Sequence, residues 1–212
     1  MDKTRAIAEA LAALPTVPTI FTTGYTSRIG AGLGERPNHF YMTGSMGLAL
    51  SLGAGLALAT GEMTLVLDGD GSVLMNPGGM LCLDAAGGLP LIHLVLDDGA
   101  YASTGGQRTN AGGVDLCGWA EAAGCRRTYT VGDPQALRDL LRAEAGAPSV
   151  PPVASSPVFI RCLVEPDRAP APPRVDDRLA EHARRFTEYV SARRSAGSRP
   201  TRSAHPEVST YD

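Results

Sequence analysis

Apolar positions near the start of the chain recur at Ile7, Leu11 and Leu14, a helical spacing that Pro15 ends, and residues 17–22 then read as a strand running into Gly24. Across residues 46–60 the pattern is nearly all small or apolar, with Leu48, Ala49, Leu52, Ala54, Leu56 and Ala57. It predicts a helix packed closely on a sheet, with Gly47, Gly53 and Gly55 permitting the approach at a cost in helix propensity. Residues 63–67 and 91–96 are short apolar runs bounded by turn signals, as expected of central parallel strands buried on both faces. Each runs out into Asp and Gly. Between them residues 77–86 predict a helix, with Asn76 as its N-cap and Pro77 in the first helical position. A helix over 116–123, a strand over 127–129, a helix over 134–145 and a strand over 158–163 follow.

This alternation predicts an α/β fold: a doubly wound, mainly parallel sheet with helices on both faces and ligand chemistry in the loops leaving the strands' carboxyl ends. The expected domain covers residues 1–165. Pro/Ser/Ala-rich linkers are expected over 146–156 and 167–173. Acids and bases alternate over 176–192 around Leu179, Ala183, Phe186 and Val190, so residues 166–192 read as linker plus an amphipathic helix that docks on the body or on a partner. Residues 193–212 read as a disordered tail.

Composition adds mainly exclusions. With 212 residues and 43% hydrophobic content the chain buries one substantial core. The net charge of −3 hides arginines crowded into the last third and a glycine-rich middle with paired aspartates, which is no footprint for nucleic acid. Cys82, Cys117, Cys125 and Cys162 form no CxxC pair and read as reduced thiols. Asp2, Lys3, Arg5 and Glu9 interrupt any signal-peptide core, and no stretch reaches the ~20 apolar residues of a membrane span, so a cytoplasmic protein without membrane partners is expected.

The chemistry concentrates in two corners. Gly69-Asp70-Gly71-Ser72 follows one apolar strand and Asp97-Asp98-Gly99 follows the next. Asp and Gly at strand ends are often plain turn residues. Two carboxylates at neighbouring strand ends, however, also supply the hard oxygen ligands of Mg²⁺, which commonly holds phosphates, and the glycines let backbone N–H groups approach those phosphates.

The pair of corners resembles the GDG…NN signature of thiamine diphosphate (ThDP) enzymes. Flanking text narrows the likeness: residues 22–28 (TTGYTSR), 36–42 (RPNHFYM), 44–47 (GSMG) and 103–107 (STGGQ) together resemble phosphonopyruvate decarboxylase, with sulfopyruvate decarboxylase next, over roughly residues 15–165. The resemblance implies ThDP and Mg²⁺ as cofactors, with Asp70, Asp98 and the backbone carbonyl of Ala100 on the metal. It puts Gly69, Gly71 and Ser72 at the diphosphate, and Thr23, Gly24, Gly44, Ser45 and Met46 along the rest of the cofactor, with Met46 as the residue that bends it. Thr104 and Gln107 are expected near the substrate as a lid, and Arg108 as an anion partner.

Asp98 stands where the resembled signature has Asn, adding a charge beside the diphosphate; at about 5 Å and an effective dielectric of about 20 that repulsion is of order 3 kcal/mol, less than direct coordination to a divalent ion returns. Single-chain members are about twice this length, so a separately encoded subunit with the pyrimidine-binding domain, carrying the catalytic glutamate, is the expected partner in a hetero-oligomer. The implied activity is decarboxylation of a small 2-oxo acid, phosphonopyruvate first. The alternatives are a sulfopyruvate decarboxylase beta subunit, an acetolactate synthase-like subunit, and a noncatalytic ThDP-binding module.

Overall fold

The computed structural model describes residues 1–146, 156–165, 170, 172–175 and 178–196. The expected tail from 197 onward, and most of both expected linkers, lie outside the described residues. Within them eight strands occur: β1 (Thr19–Phe21), β2 (His39–Tyr41), β3 (Thr64–Gly69), β4 (Leu91–Asp97), β5 (Ala100–Tyr101), β6 (Gln107–Arg108), β7 (Arg127–Val131) and β8 (Val158–Leu163). Seven α-helices accompany them: α1 (Lys3–Ala13), α2 (Tyr25–Gly32), α3 (Ala49–Thr60), α4 (Asp70–Met75), α5 (Leu116–Ala122), α6 (Pro134–Gly146) and α7 (Leu179–Ala196). Six strands form one sheet in the order β2-β1-β3-β4-β8-β7, and β5-β6 is a separate hairpin. Every pairing in the large sheet is parallel. The doubly wound α/β expectation is met.

Alternation along β3 explains the layering. Val66 faces a core with Leu50 and Ala54 of α3, Leu116 and Ala120 of α5, and Phe186 and Val190 of α7. Leu65 and Leu67 face the other, with Ile7 and Leu11 of α1, Ile29 of α2, and Leu137 and Leu141 of α6. Both faces are covered, and the central strands are therefore mainly apolar; the polar pair buried between them, Asp68 of β3 and His93 of β4, is hydrogen-bonded at 3.2 Å. The close approach of α3 is real at Gly53, where a Cβ would lie 2.2 Å from Val66 Cγ2, whereas nothing comes within 4 Å of one at Gly55.

The helix expected over 46–60 starts only at Ala49. Ahead of it Ser45 (φ 58°) and Gly47 (φ 92°) take left-handed backbone that an α-helix excludes. Residues Pro77–Gly87 form a 3-10 helix instead of the expected α-helix. Asn76 does not serve as the expected N-cap; its side-chain amide donates to the Gly47 carbonyl at 2.9 Å. The terminal amphipathic helix, expected to stop at 192, runs to Ala196. It docks on the body: the Phe186 ring lies 5.5 Å from that of Phe40, and Tyr189 Oη donates to the Thr16 carbonyl at 2.7 Å. All four cysteines are free thiols, two of them buried. No helix among the described residues is long and apolar enough to cross a membrane.

Candidate functional site

From β1 the chain crosses to β2 on one side and then returns to β3 on the other. The strand order thus reverses beside β1, and such a switch point opens a crevice at the strands' carboxyl ends. Three segments meet there: residues 22–24 leaving β1, the start of α4 leaving β3, and Asp98-Gly99 leaving β4.

Buried hydroxyls tie these segments together. Thr22 Oγ1 and Ser72 Oγ share a hydrogen bond of 3.0 Å, and the Gly47 N–H donates to Ser72 Oγ at 3.1 Å. The loop before α3 is thereby fixed against α4. Gly47 is required on two counts, its positive φ and a Cβ position only 2.9 Å from Asn76 Cβ. At Ser45 the same left-handed backbone carries a side chain, a strain that is tolerated mainly where the surroundings impose it.

The acids are buried. Asp70 is 2% exposed, and its Oδ2 accepts from the Thr109 hydroxyl. Thr109 is placed by its own N–H, which donates to the Gly99 carbonyl at 2.8 Å. Burial pushes the Asp70 carboxyl up to about 6; the Thr109 hydrogen bond works against that rise, and the negative charges of Asp97 and Asp98 add to it. Asp97 Oδ2 takes Arg161 Nε at 2.7 Å and Nη2 at 2.6 Å. Asp98 Oδ2 takes Lys3 Nζ at 2.8 Å. The remaining oxygen, Asp98 Oδ1, is buried without a hydrogen-bond partner among the described residues.

A cavity of about 40 Å³ at this corner is lined by Lys3, Thr23, Met46, Asp70, Ser72 and Ala100, among others. The Tyr101 ring lies over Gly71, where a Cβ would come 2.4 Å from Cε1. Thr23 also lines, with Gly24, Arg28, Ser103 and Arg174, a neighbouring cavity of about 410 Å³. Gly44 and Ser45 line a third, of about 420 Å³, against α7. Of the residues singled out in the sequence, Thr23, Met46, Gly69, Asp70, Gly71, Ser72 and Ala100 thus gather at one corner, with Asp98 bonded to its lysine. Gly24, Gly44 and Ser45 fall in the adjoining cavities. Thr104 and Gln107 are exposed at the hairpin, where Thr104 Oγ1 donates to Gln107 Oε1 at 3.3 Å. Arg108 is exposed as well. Lys3 and Thr109 were not singled out as site residues, and Thr22 entered only as part of the text over residues 22–28.

A divalent cation fits this donor set. The unpartnered Asp98 Oδ1 and the Asp70 carboxylate are hard oxygens, and among the described residues no ion pair balances Asp70. No group of three or more His, Cys, Asp or Glu among the described residues is placed to hold a metal. A cation here would therefore complete its shell from carbonyl, phosphate or water oxygens.

Fold and corner together define a doubly wound domain that offers two carboxylates and a glycine turn at its switch point. Residues 23–153 match the family described as thiamine pyrophosphate enzyme, C-terminal TPP binding domain, and the chain belongs to that family. It is 40% identical over 177 residues to a phosphonopyruvate decarboxylase of Streptomyces hygroscopicus, covering 84% of this chain and 42% of that protein. It is 42% identical over 124 residues to a sulfopyruvate decarboxylase subunit beta of Methanothermobacter thermautotrophicus, covering 58% of this chain and 67% of the subunit. The chain thus spans less than half the length of the phosphonopyruvate decarboxylase it matches. In fold it is similar to a thiamine diphosphate-dependent 4-hydroxybenzoylformate decarboxylase of Rhodococcus jostii, with a TM-score of 0.63 at 20% identity over 80% of this chain and 33% of that one.

Proposed function

We propose that this chain is the ThDP- and Mg²⁺-binding part of a 2-oxo acid decarboxylase acting on phosphonopyruvate, and that it works with a separate subunit carrying the pyrimidine-binding domain. The observation that carries the reading is the buried Asp70–Asp98 corner at the switch point of a chain 40% identical to a phosphonopyruvate decarboxylase. The partner is supported by the name of the shorter relatives, which are beta subunits.

Asp70, Asp98 and the Ala100 carbonyl would hold the metal, and Gly69, Gly71 and Ser72 the diphosphate. Thr23, Gly24, Gly44, Ser45 and Met46 would line the rest of the cofactor, with the strained Ser45 fixing the path of the chain into Met46. When bound, ThDP supplies the electron sink for loss of CO₂ from a 2-oxo acid. The chain's own contribution is placement: the carboxylates are held at neighbouring strand ends by Thr109 and Lys3, and burial strengthens their hold on a cation. The Tyr101 ring packs over Gly71 at the edge of the small cavity that would receive the diphosphate. Gly99 (φ 67°) and Gly106 (φ 73°) flank the Tyr101 loop, and Thr104 and Gln107 ride on it toward the substrate.

Sulfopyruvate is the second reading, favoured by the 42% identity to the beta subunit. Mixing the chain with its partner, ThDP and Mg²⁺ and supplying each acid decides between them. Release of phosphonoacetaldehyde and CO₂ from phosphonopyruvate is expected. Turnover of sulfopyruvate alone contradicts the first reading, and carboligation without aldehyde release contradicts both.

A further inference from the structure

Three carboxylates crowd the ends of β3 and β4, and their charges are balanced unequally. Asp97 has Arg161 and Asp98 has Lys3, while Asp70 has hydrogen bonds from the Thr109 hydroxyl and the Gly71 backbone but, among the described residues, no cation. Lys3 is itself buried, with 8% of its side chain exposed against 2% for Asp98, and it lines the same cavity as Asp70 and Ser72. A buried ammonium is costly unless it is paired. Lys3 also opens α1, where a cation works against the helix dipole and where the first turn has no acid. The position therefore does not serve the helix. The segment is anchored from outside as well: the Glu165 N–H donates to the Met1 carbonyl at 2.8 Å, and Asp2 bridges to Glu165 beyond the end of β8.

We propose that Lys3 is a resident counter-cation of the metal–diphosphate corner: it grips Asp98 by Oδ2, leaves the unpartnered Oδ1 for one divalent ion, and adds a positive charge to the wall that receives the diphosphate. The inference rests on the metal and diphosphate reading above. Asp97 and Arg161 cancel, so two carboxylates, Asp70 and Asp98, against one ammonium, Lys3, leave the corner at a net −1, and a divalent ion turns it to +1, the sign a diphosphate needs. Without Lys3 the same sums give −2 and 0. Removing the lysine must therefore help the metal alone and hurt the anion, two effects of opposite sign that a merely structural lysine would not produce.

The test uses the full chain with Mn²⁺ as the metal probe, followed by inorganic pyrophosphate at saturating Mn²⁺, each measured by calorimetry. Lys3→Met is expected to tighten Mn²⁺ about a hundredfold and weaken pyrophosphate by about as much, the size of a unit charge acting on a doubly charged ion at about 6–8 Å through an effective dielectric of about 30–40. Lys3→Arg should keep both affinities within about threefold. Should Lys3→Met not fold, Asp98→Asn reads the same balance in reverse, with Mn²⁺ weaker and pyrophosphate tighter. Shifts in the same direction, or none, overturn the inference while leaving the metal site standing. Failure of the unaltered chain to bind Mn²⁺ in any way that Asp70→Asn abolishes defeats the metal reading itself and takes this inference with it.

Discussion

Two acidic corners sit side by side at the carboxyl edge of the sheet, and they are finished differently. At Asp97, Oδ2 takes two Arg161 nitrogens and Oδ1 takes the Gly99 N–H at 3.2 Å, so both oxygens are satisfied and the charge is cancelled. At Asp70 and Asp98, among the described residues, one oxygen is left bare and one carboxylate has no cation. Asp97 and Asp98 are adjacent in the chain and share the end of β4, so local pattern does not separate those two, while Asp70 reaches the same edge from the end of β3. What separates them is where the balancing charges come from, and the proposed reading takes the unbalanced acids as those that meet a ligand.

The sharpest way to break this contrast is Asp70→Ala in the assembled enzyme. It should cost ~10³-fold or more in kcat/KM, because the divalent ion loses its central ligand; activity within tenfold of normal would return the corner to a structural role. Arg161→Met attacks the finished corner instead. Stranding Asp97 should cost about 3–5 kcal/mol in denaturant unfolding while metal binding survives.

Asp70→Asn sharpens the comparison from the other side. With its carboxyl raised to about 6, Asp70 holds a proton in the fold that the unfolded chain releases near 3.8. Its contribution to stability therefore falls as pH rises from about 4 to 6, leaving the metal-free protein about 3 kcal/mol poorer at pH 7. The amide should recover up to that amount and flatten the slope, yet abolish metal uptake. His39 supplies the opposite slope. Burial, with Arg36 and Arg185 adding to it, lowers its pKa to about 4. The unfolded chain thus takes up the proton first, and stability is lost as pH falls from about 6.5 to 4, again by about 3 kcal/mol. His39→Gln should flatten that acid limb in a urea titration across pH, leaving the Asp70 slope exposed. The smallest effect is expected at Ser45→Gly, which should raise the melting temperature by relieving about 1 kcal/mol of left-handed strain.

Much of this was legible in the sequence because it is local. Apolar runs closed by Asp-Gly mark β3 and β4, helical spacing marks α1 and α6, and the acid corners carry their own motif text. The balancing groups are not local. Lys3 meets Asp98 across 95 positions and Thr109 meets Asp70 across 39, so neither carries a signal where it stands. The short elements α2 and β2 were hidden for a related reason. α2 starts at Tyr25 behind Gly24, an N-cap with no side chain to bond the first turn, and β2 is three residues whose place is set by pairing with β1. The turn at residues 45–47 escaped because its apolar neighbours continue the helical pattern while a hydrogen bond from Gly47 to Ser72 overrides it.

The central claim is that Asp70 and Asp98 clamp a divalent ion that in turn holds a diphosphate. Calorimetric titration of ThDP into the chain with its partner, with and without Mg²⁺, tests it most directly. One ThDP bound per chain only when Mg²⁺ is present, and none in Asp70→Asn, is the predicted result. Uptake that ignores Mg²⁺, or that Asp70→Asn leaves intact, would contradict it.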